Sequence, residues 1–189
     1  MARPLSEEKR ESILTAAAEL VATLGTGAST AKIAKAAGVA EGTLFTYFAT
    51  KDELLNQLLL EIETDLARSV LDSCAAGGSP RECVQRIWNC LVDWGIAHPE
   101  QRKAMRQLKV SDRISDECRQ SCNNLFREAR ESVERCLTGY VDPERASFYI
   151  DTALLGLANI SIDAITVNPQ GHEHIRQAGF DLFWKGIAA

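Results

Sequence analysis

The stretch Ser29 to Lys51, STAKIAKAAGVAEGTLFTYFATK, constrains the chain most, because it must fit two short helices and a turn into very few residues. In its first half Ile33, Ala34 and Ala37 recur at helical spacing behind the cap candidates Ser29 and Thr30. Gly38 follows, the residue type that enters left-handed backbone at no steric cost and lets a chain reverse within three or four residues. Val39 plugs the turn, and a second helix is expected from about Ala40. Leu44 and Phe48 then face inward, leaving Glu41, Gly42, Thr43, Thr46 and Tyr47 outward. A short helix with small polar groups, set by a tight turn against another, is the helix-turn-helix pattern that fits the DNA major groove.

The outward side chains suit base reading. Thr43 and Thr46 can hydrogen-bond bases or pack a methyl on thymine. Glu41 could accept from a cytosine amino group, while its charge repels phosphate, so it discriminates rather than adds affinity. Thr30, at the start of the first short helix, would offer its hydroxyl to a phosphate. Leu44 and Phe48 are core, and Phe45 is divided between packing and lying along the sugar-phosphate edge.

These residues resemble the TetR family of bacterial transcriptional regulators, whose usual form is T-x-x-x-I-A-x-x-A-G-V-S-x-G-T-L-Y-x-H-F-x-x-K-x-x-L. Here the segment reads S-T-A-K-I-A-K-A-A-G-V-A-E-G-T-L-F-T-Y-F-A-T-K-D-E-L. Ala40 stands for the family's capping Ser, Phe45 for its Tyr and Tyr47 for its His. The first change weakens the recognition-helix cap, and the second removes a hydroxyl that touches phosphate in relatives. The resemblance places Tyr47 and Lys51 where relatives contact the DNA backbone. The expected DNA-binding set is therefore Thr30, Glu41, Gly42, Thr43, Phe45, Thr46, Tyr47 and Lys51.

Charge confines any DNA contact to one end. Residues 1 to 51 carry six Lys/Arg against five Asp/Glu, and the remainder fifteen against twenty-one, within a net charge of −5. A chain that bound nucleic acid over its whole surface would be basic. Arg3, Lys9 and Arg10 are either solvated or reach phosphates from the N-terminal segment. No uninterrupted run long enough to cross a membrane is apolar, and MARPLSEEKRE lacks a signal-peptide core. A cytoplasmic protein without a membrane partner is expected, its six cysteines reduced.

Read in order, the chain is all-α with about nine helices. Helix 1 is expected from Glu7 to Leu24, capped by Ser6, with the stripe Ile13, Ala17, Leu20, Val21, Leu24. Thr50 to Glu53 and Ser79 to Glu82 are capping boxes that open long fourth and fifth helices, the fourth ending near Ala75 before an AAGGSP linker. Helix 5 is apolar almost all round, and helix 6 is short and basic, read as a solvated face. Helix 7 is expected from Asp116 unbroken to Gly139 on a Cys118-to-Leu137 stripe. Helix 8 runs from Asp142-Pro143 to about Thr166, and helix 9 from His172 to Ile187. Helix 9 is apolar on two faces and so needs a second partner, economically the same helix in another copy. Residues 1–50 form the three-helix DNA-binding domain, and residues 51–189 a helical ligand-binding and dimerisation domain.

In the family, helices 5 to 7 wall a ligand pocket and helices 8 and 9 make a four-helix dimer interface. The resemblance then nominates Trp88, Trp94, Met105, Asn123, Phe126, Tyr149 and Asn159 for a small, mostly apolar effector. It nominates Leu154, Leu157, Ile175, Ala178, Gly179, Leu182 and Phe183 for the homodimer interface. Cys118 and Cys122 share a helix face, as do Cys83 and Cys90, but thiols on apolar stripes behave as small hydrophobes, so no metal and no cofactor is expected. No catalytic motif is present, and an enzyme is not expected. The expected function is a homodimeric transcriptional regulator, a repressor released from a palindromic operator by its effector. A DNA-bound protein-interaction regulator without a small ligand and a thiol- or metal-responsive sensor are the alternatives.

Overall fold

Three alanines in a row, Ala16 to Ala18, are buried on the first helix, α1 (Glu7–Leu24), where small side chains let neighbouring backbones come close. The computed structural model describes residues 6–74 and 78–187, so Arg3 and Ala75 to Gly77 of the expected linker lie outside the described residues. A 3-10 turn at Gly25–Gly27 leads to α2 (Thr30–Ala36), α3 (Glu41–Tyr47) and the long α4 (Lys51–Cys74). Then come α5 (Pro80–Ala97), α6 (Pro99–Lys109), α7 (Asp116–Leu125) and α8 (Arg127–Leu137). The chain continues through α9 (Pro143–Ser147), a π-helical stretch Phe148–Leu154, α10 (Leu155–Val167), a 3-10 turn Pro169–Gly171 and α11 (His172–Ile187). Among the described residues every regular element is helical, with one isolated bridge between Thr138 and Val141.

The chain divides into two compact units, Met1–Thr64 with Pro99–Asn124 and Asp65–His98 with Leu125–Ala189. The boundary falls inside α4, and α6 and most of α7 join the unit that contains the N-terminal helices. The sequence reading assigned both to the later domain.

In the first unit α1 packs against α2 and α6, burying Ile13, Leu14 and Val21, each such side chain contributing about 1.5–3 kcal/mol. Gly25 ends α1 with φ 68°, a left-handed stop that glycine adopts without strain. Leu24, expected on the apolar stripe, is exposed, and Ser6 makes no side-chain cap. The basic helix α6 is not simply solvated. Arg102 is buried, and the Lys109 ammonium lies 2.6 Å from a carboxylate oxygen of Glu63, itself buried on α4. Asn56 buckles the 111–115 loop to α4, its amide donating to Arg113 O and its carbonyl accepting from Ser115 N–H at 2.9 Å each.

The expected single helix 7 breaks at Phe126, which separates α7 from α8. The stripe keeps its period across the break, so periodicity alone cannot register it. In the second unit α5 opens on the full Ser79–Glu82 capping box and is buried on most sides, as its composition requires. It packs with α8, α10 and α11. Trp88 is fully buried, donates its indole N–H to Arg176 O at 3.0 Å and sits 6.2 Å from Phe180, ring centre to ring centre. Pro143–Val167 is by length and composition apolar enough to cross a membrane, with mean hydropathy 1.4 over its best window. It is not an uninterrupted apolar run, because Asp151, Asn159 and Asp163 break it. Here its later part, α10, packs on α5 and α11.

Candidate DNA-binding surface

Two short helices and one glycine build the surface. Ser29 caps α2 by accepting from Lys32 N–H at 3.3 Å. Gly38 takes φ 69°, the left-handed conformation the sequence demanded, and Val39 N–H closes the turn on Ala34 O at 2.9 Å. Ala40 then begins α3 with no side-chain cap, so backbone bonds from Thr43 and Leu44 N–H to Ala40 O start the helix alone. Leu44 and Phe48 are buried beneath it, which turns Glu41, Gly42, Phe45 and Thr46 to solvent. Thr43 and Tyr47 are half-buried, and a side chain at Gly42 would meet no neighbouring atom. The surface can therefore approach another molecule closely.

Thr30, Glu41, Thr46 and Tyr47 already have internal partners. Thr30 Oγ1 donates to Glu41 Oε1 at 2.6 Å, joining the first turns of α2 and α3. Thr46 Oγ1 donates to Gly42 O at 3.0 Å, leaving its lone pairs and methyl outward. The Tyr47 hydroxyl accepts from Ser6 N–H at 3.0 Å and retains its own hydrogen to donate. Lys51 opens α4. Partial burial and then the Arg113 guanidinium push its ammonium below the usual lysine range, with Asp52 acting the other way. Lys32 and Lys35 on α2 are exposed cations next to α3, which the sequence pattern did not single out. Their presence on the polar side of so short a helix was the available signal.

The paired thiols on α7 face inward. Burial raises both Cys118 and Cys122, and the Glu63 carboxylate pushes Cys122 further in the same direction. A thiol kept protonated is a weak nucleophile and a weak metal ligand. Among the described residues no group of three or more His, Cys, Asp or Glu is placed to hold a metal ion.

The residues nominated for an effector are divided between the two units. Met105 and Asn123 belong to the first unit, where Met105 is buried and Asn123 exposed. Trp88, Trp94, Phe126, Tyr149 and Asn159 belong to the second. Trp94 donates to Asp65 Oδ2 at 2.8 Å and stacks on His98, and Asn159 Nδ2 donates to Leu155 O at 2.9 Å. Phe126 and Tyr149 are half-buried.

The residues nominated for a dimer interface also differ in fate. Leu154 and Phe183 are buried in the chain's own core. Gly179 lies under Trp88 and Ser161, while Leu157 and Ile175 are half-buried. Ala178 and Leu182 are exposed on α11, and Ile160, Val167 and Phe148 add an exposed apolar series from the preceding helical run. On a stretch apolar nearly all round, sequence could not fix which residues face out.

Residues 13–58 match the family described as bacterial regulatory proteins, tetR family. Solved structures resemble the chain over nearly all its length. A protein assigned to the tetR family of transcription regulators from Shewanella sp. PV-4 is 26% identical, with TM-score 0.83 over 96% of this chain and 98% of that one. A TetR family transcription regulator from Marinobacter aquaeolei VT8 is 24% identical, with TM-score 0.78 over 96% of each. The transcriptional regulator FadR from Bacillus subtilis, solved in complex with stearoyl-CoA, is 19% identical, with TM-score 0.72 over 94% of this chain and 99% of that one.

Proposed function

On the premise that this chain is a TetR-family transcriptional regulator, we propose that it is a homodimeric repressor that leaves a palindromic operator when a small, mostly apolar effector binds. The observation that carries the reading is the exposed face of α3, held by Leu44 and Phe48 and free of any covering side chain at Gly42. On this reading Thr43, Phe45, Thr46 and Tyr47 meet DNA from α3, while Lys51, Lys32 and Lys35 supply phosphate contacts. Residues 1–50 are the part that reads DNA.

The second copy covers the apolar series of Ile160, Ala178 and Leu182, which would otherwise lie in water. Two readers about 34–36 Å apart would then enter successive major grooves of an inverted repeat. The effector class is supported by the FadR neighbour, whose structure contains stearoyl-CoA, a long acyl chain on a polar carrier. We place its site in the second unit, beside Phe126 and Tyr149. Its binding acts through α4, whose residues divide between the units. A coupling of about 1–3 kcal/mol suffices, a 5- to 150-fold change in operator affinity.

The test is selection of genomic duplexes by the purified chain, followed by release assays with stearoyl-CoA as probe. Recovery of an inverted repeat by a dimer, and its loss on adding the acyl thioester, is the expected result. A monomer indifferent to every duplex at low salt would end the reading.

A further inference from the structure

The hydrogen-bonding inventory of α3 is sparse: the Thr43 and Tyr47 hydroxyls can donate or accept and so single out no base, which leaves Glu41 as its one side chain of fixed polarity. Its sequence, EGTLFTY, contains no Arg, Lys, Asn, Gln or His, so the bidentate contacts that select guanine or adenine in the major groove cannot come from this helix. The Thr46 hydrogen is committed to Gly42 O. The Glu41 carboxylate offers acceptors and no donor. From these groups and their bonds we propose that the reader selects its operator through an acceptor, with Glu41, clasped by Thr30, requiring a cytosine N4 amino group at the base that faces it in each half-site. The proposal rests on α3 being the DNA reader and specifies what that reader demands.

The clasp gives the carboxylate a direction. A glutamate free in water samples many rotamers, and a reader that must be ordered on binding discriminates poorly. Here Thr30 Oγ1 holds Oε1 at 2.6 Å from the neighbouring helix, leaving Oε2 for the partner. The same bond commits the Thr30 hydrogen, so Thr30 acts through Glu41 rather than by donating to phosphate, the role its position first implied.

Chemistry then selects the base. Guanine O6 and N7 and thymine O4 are acceptors and repel a carboxylate. Adenine offers an amino group, but its N7 acceptor lies beside it, whereas cytosine N4 is flanked by C5–H. A carboxylate amid phosphates is repelled everywhere except opposite a donor, so Glu41 acts mainly by rejecting the other bases.

The experiment is selection from randomised duplexes by the full chain, with Glu41→Gln, Thr30→Val and Thr30→Ser in parallel and circular dichroism confirming each fold. The native chain should recover an inverted repeat with one symmetric pair of cytosine columns. Replacing that cytosine by thymine should weaken binding about fivefold or more. Glu41→Gln, which can also donate, should abolish the preference or move it to adenine and leave the other columns unchanged. Thr30→Val should blunt the same column alone, and Thr30→Ser should restore it. A repeat whose columns are all indifferent to Glu41→Gln overturns the proposal and spares the DNA-binding reading, as does a Thr30→Val profile identical to the native one. Selection of no repeat at all overturns both.

Discussion

Replacing Gly179 by Ala tests how tightly α11 is seated. The added Cβ would lie 2.3 Å from Ser161 Oγ, 2.7 Å from Trp88 Cζ2 and 3.1 Å from Cη2. Ser161 can rotate its hydroxyl aside. The indole cannot, because it is fully buried and its N–H is bonded to Arg176 O on α11 itself. Forcing a methyl into such a site costs about 3 kcal/mol, the upper end for overpacking, and alanine's better helix propensity returns about 1 kcal/mol. The net loss is then about 2 kcal/mol, or about 4–8 °C in Tm at this chain length. Gly186→Ala on the same helix is the control, since its Cβ meets nothing, and it should leave Tm level or slightly raised. Trp88→Phe removes the two carbons that clash, so Gly179→Ala should cost far less in that background, read as a double-mutant cycle. The assay is thermal unfolding by circular dichroism at one fixed protein concentration, because association shifts Tm. The reasoning fails if Gly179→Ala raises Tm as Gly186→Ala does, or if the loss is equal with and without the indole.

Lys109→Met should destabilise the first unit by about 1–2 kcal/mol, since it leaves the Glu63 carboxylate buried without its nearest cation. Arg68→Met, removing an exposed partner 4.0 Å from Asp65, should change the urea midpoint hardly at all. Equal midpoints for the two variants would contradict this. The thiols predict a pH dependence. The fold favours protonated Cys118 and Cys122, so their contribution is complete below the unfolded thiol's pKa, about 8.5, and is lost as pH rises beyond it. Urea midpoints at pH 7 and pH 10 should converge in Cys122→Ala relative to the native chain, and Cys118 and Cys122 should react slowly with thiol reagents at pH 8. Ile160→Glu with Leu182→Glu, at sites 64% and 62% exposed, should yield folded monomers in sedimentation. A persistent dimer would move the interface elsewhere. Phe183, being core, cannot serve that test.

Much of this was legible in the residues because local chemistry fixes it. Gly38 needs left-handed backbone, Ser29 and Ser79 reach their own helix amides, and Leu44 and Phe48 are the large apolar groups on the inward side of α3. What depends on the phase of a helix was not legible. Leu182 and Phe183 are adjacent and equally apolar, yet one is exposed and the other buried, because successive helical residues point about 100° apart and only Phe183 turns into the core. Phe126 interrupts a stripe that stays in register on both sides. The bond between Thr30 and Glu41 joins residues eleven apart in sequence across a turn, and its geometry exists only once Gly38 has set the angle between α2 and α3.

The apolar run Pro143–Val167 also bears on how the molecule folds. Whenever α11 is not yet seated, α10 has α5 but lacks the other of its two covering helices. In that state the chain displays a segment that hydropathy alone would send into a lipid bilayer. The closing of α11 over it, fitted through the bare backbone of Gly179, covers one face of that segment and leaves Phe148, Ile160 and Val167 in water.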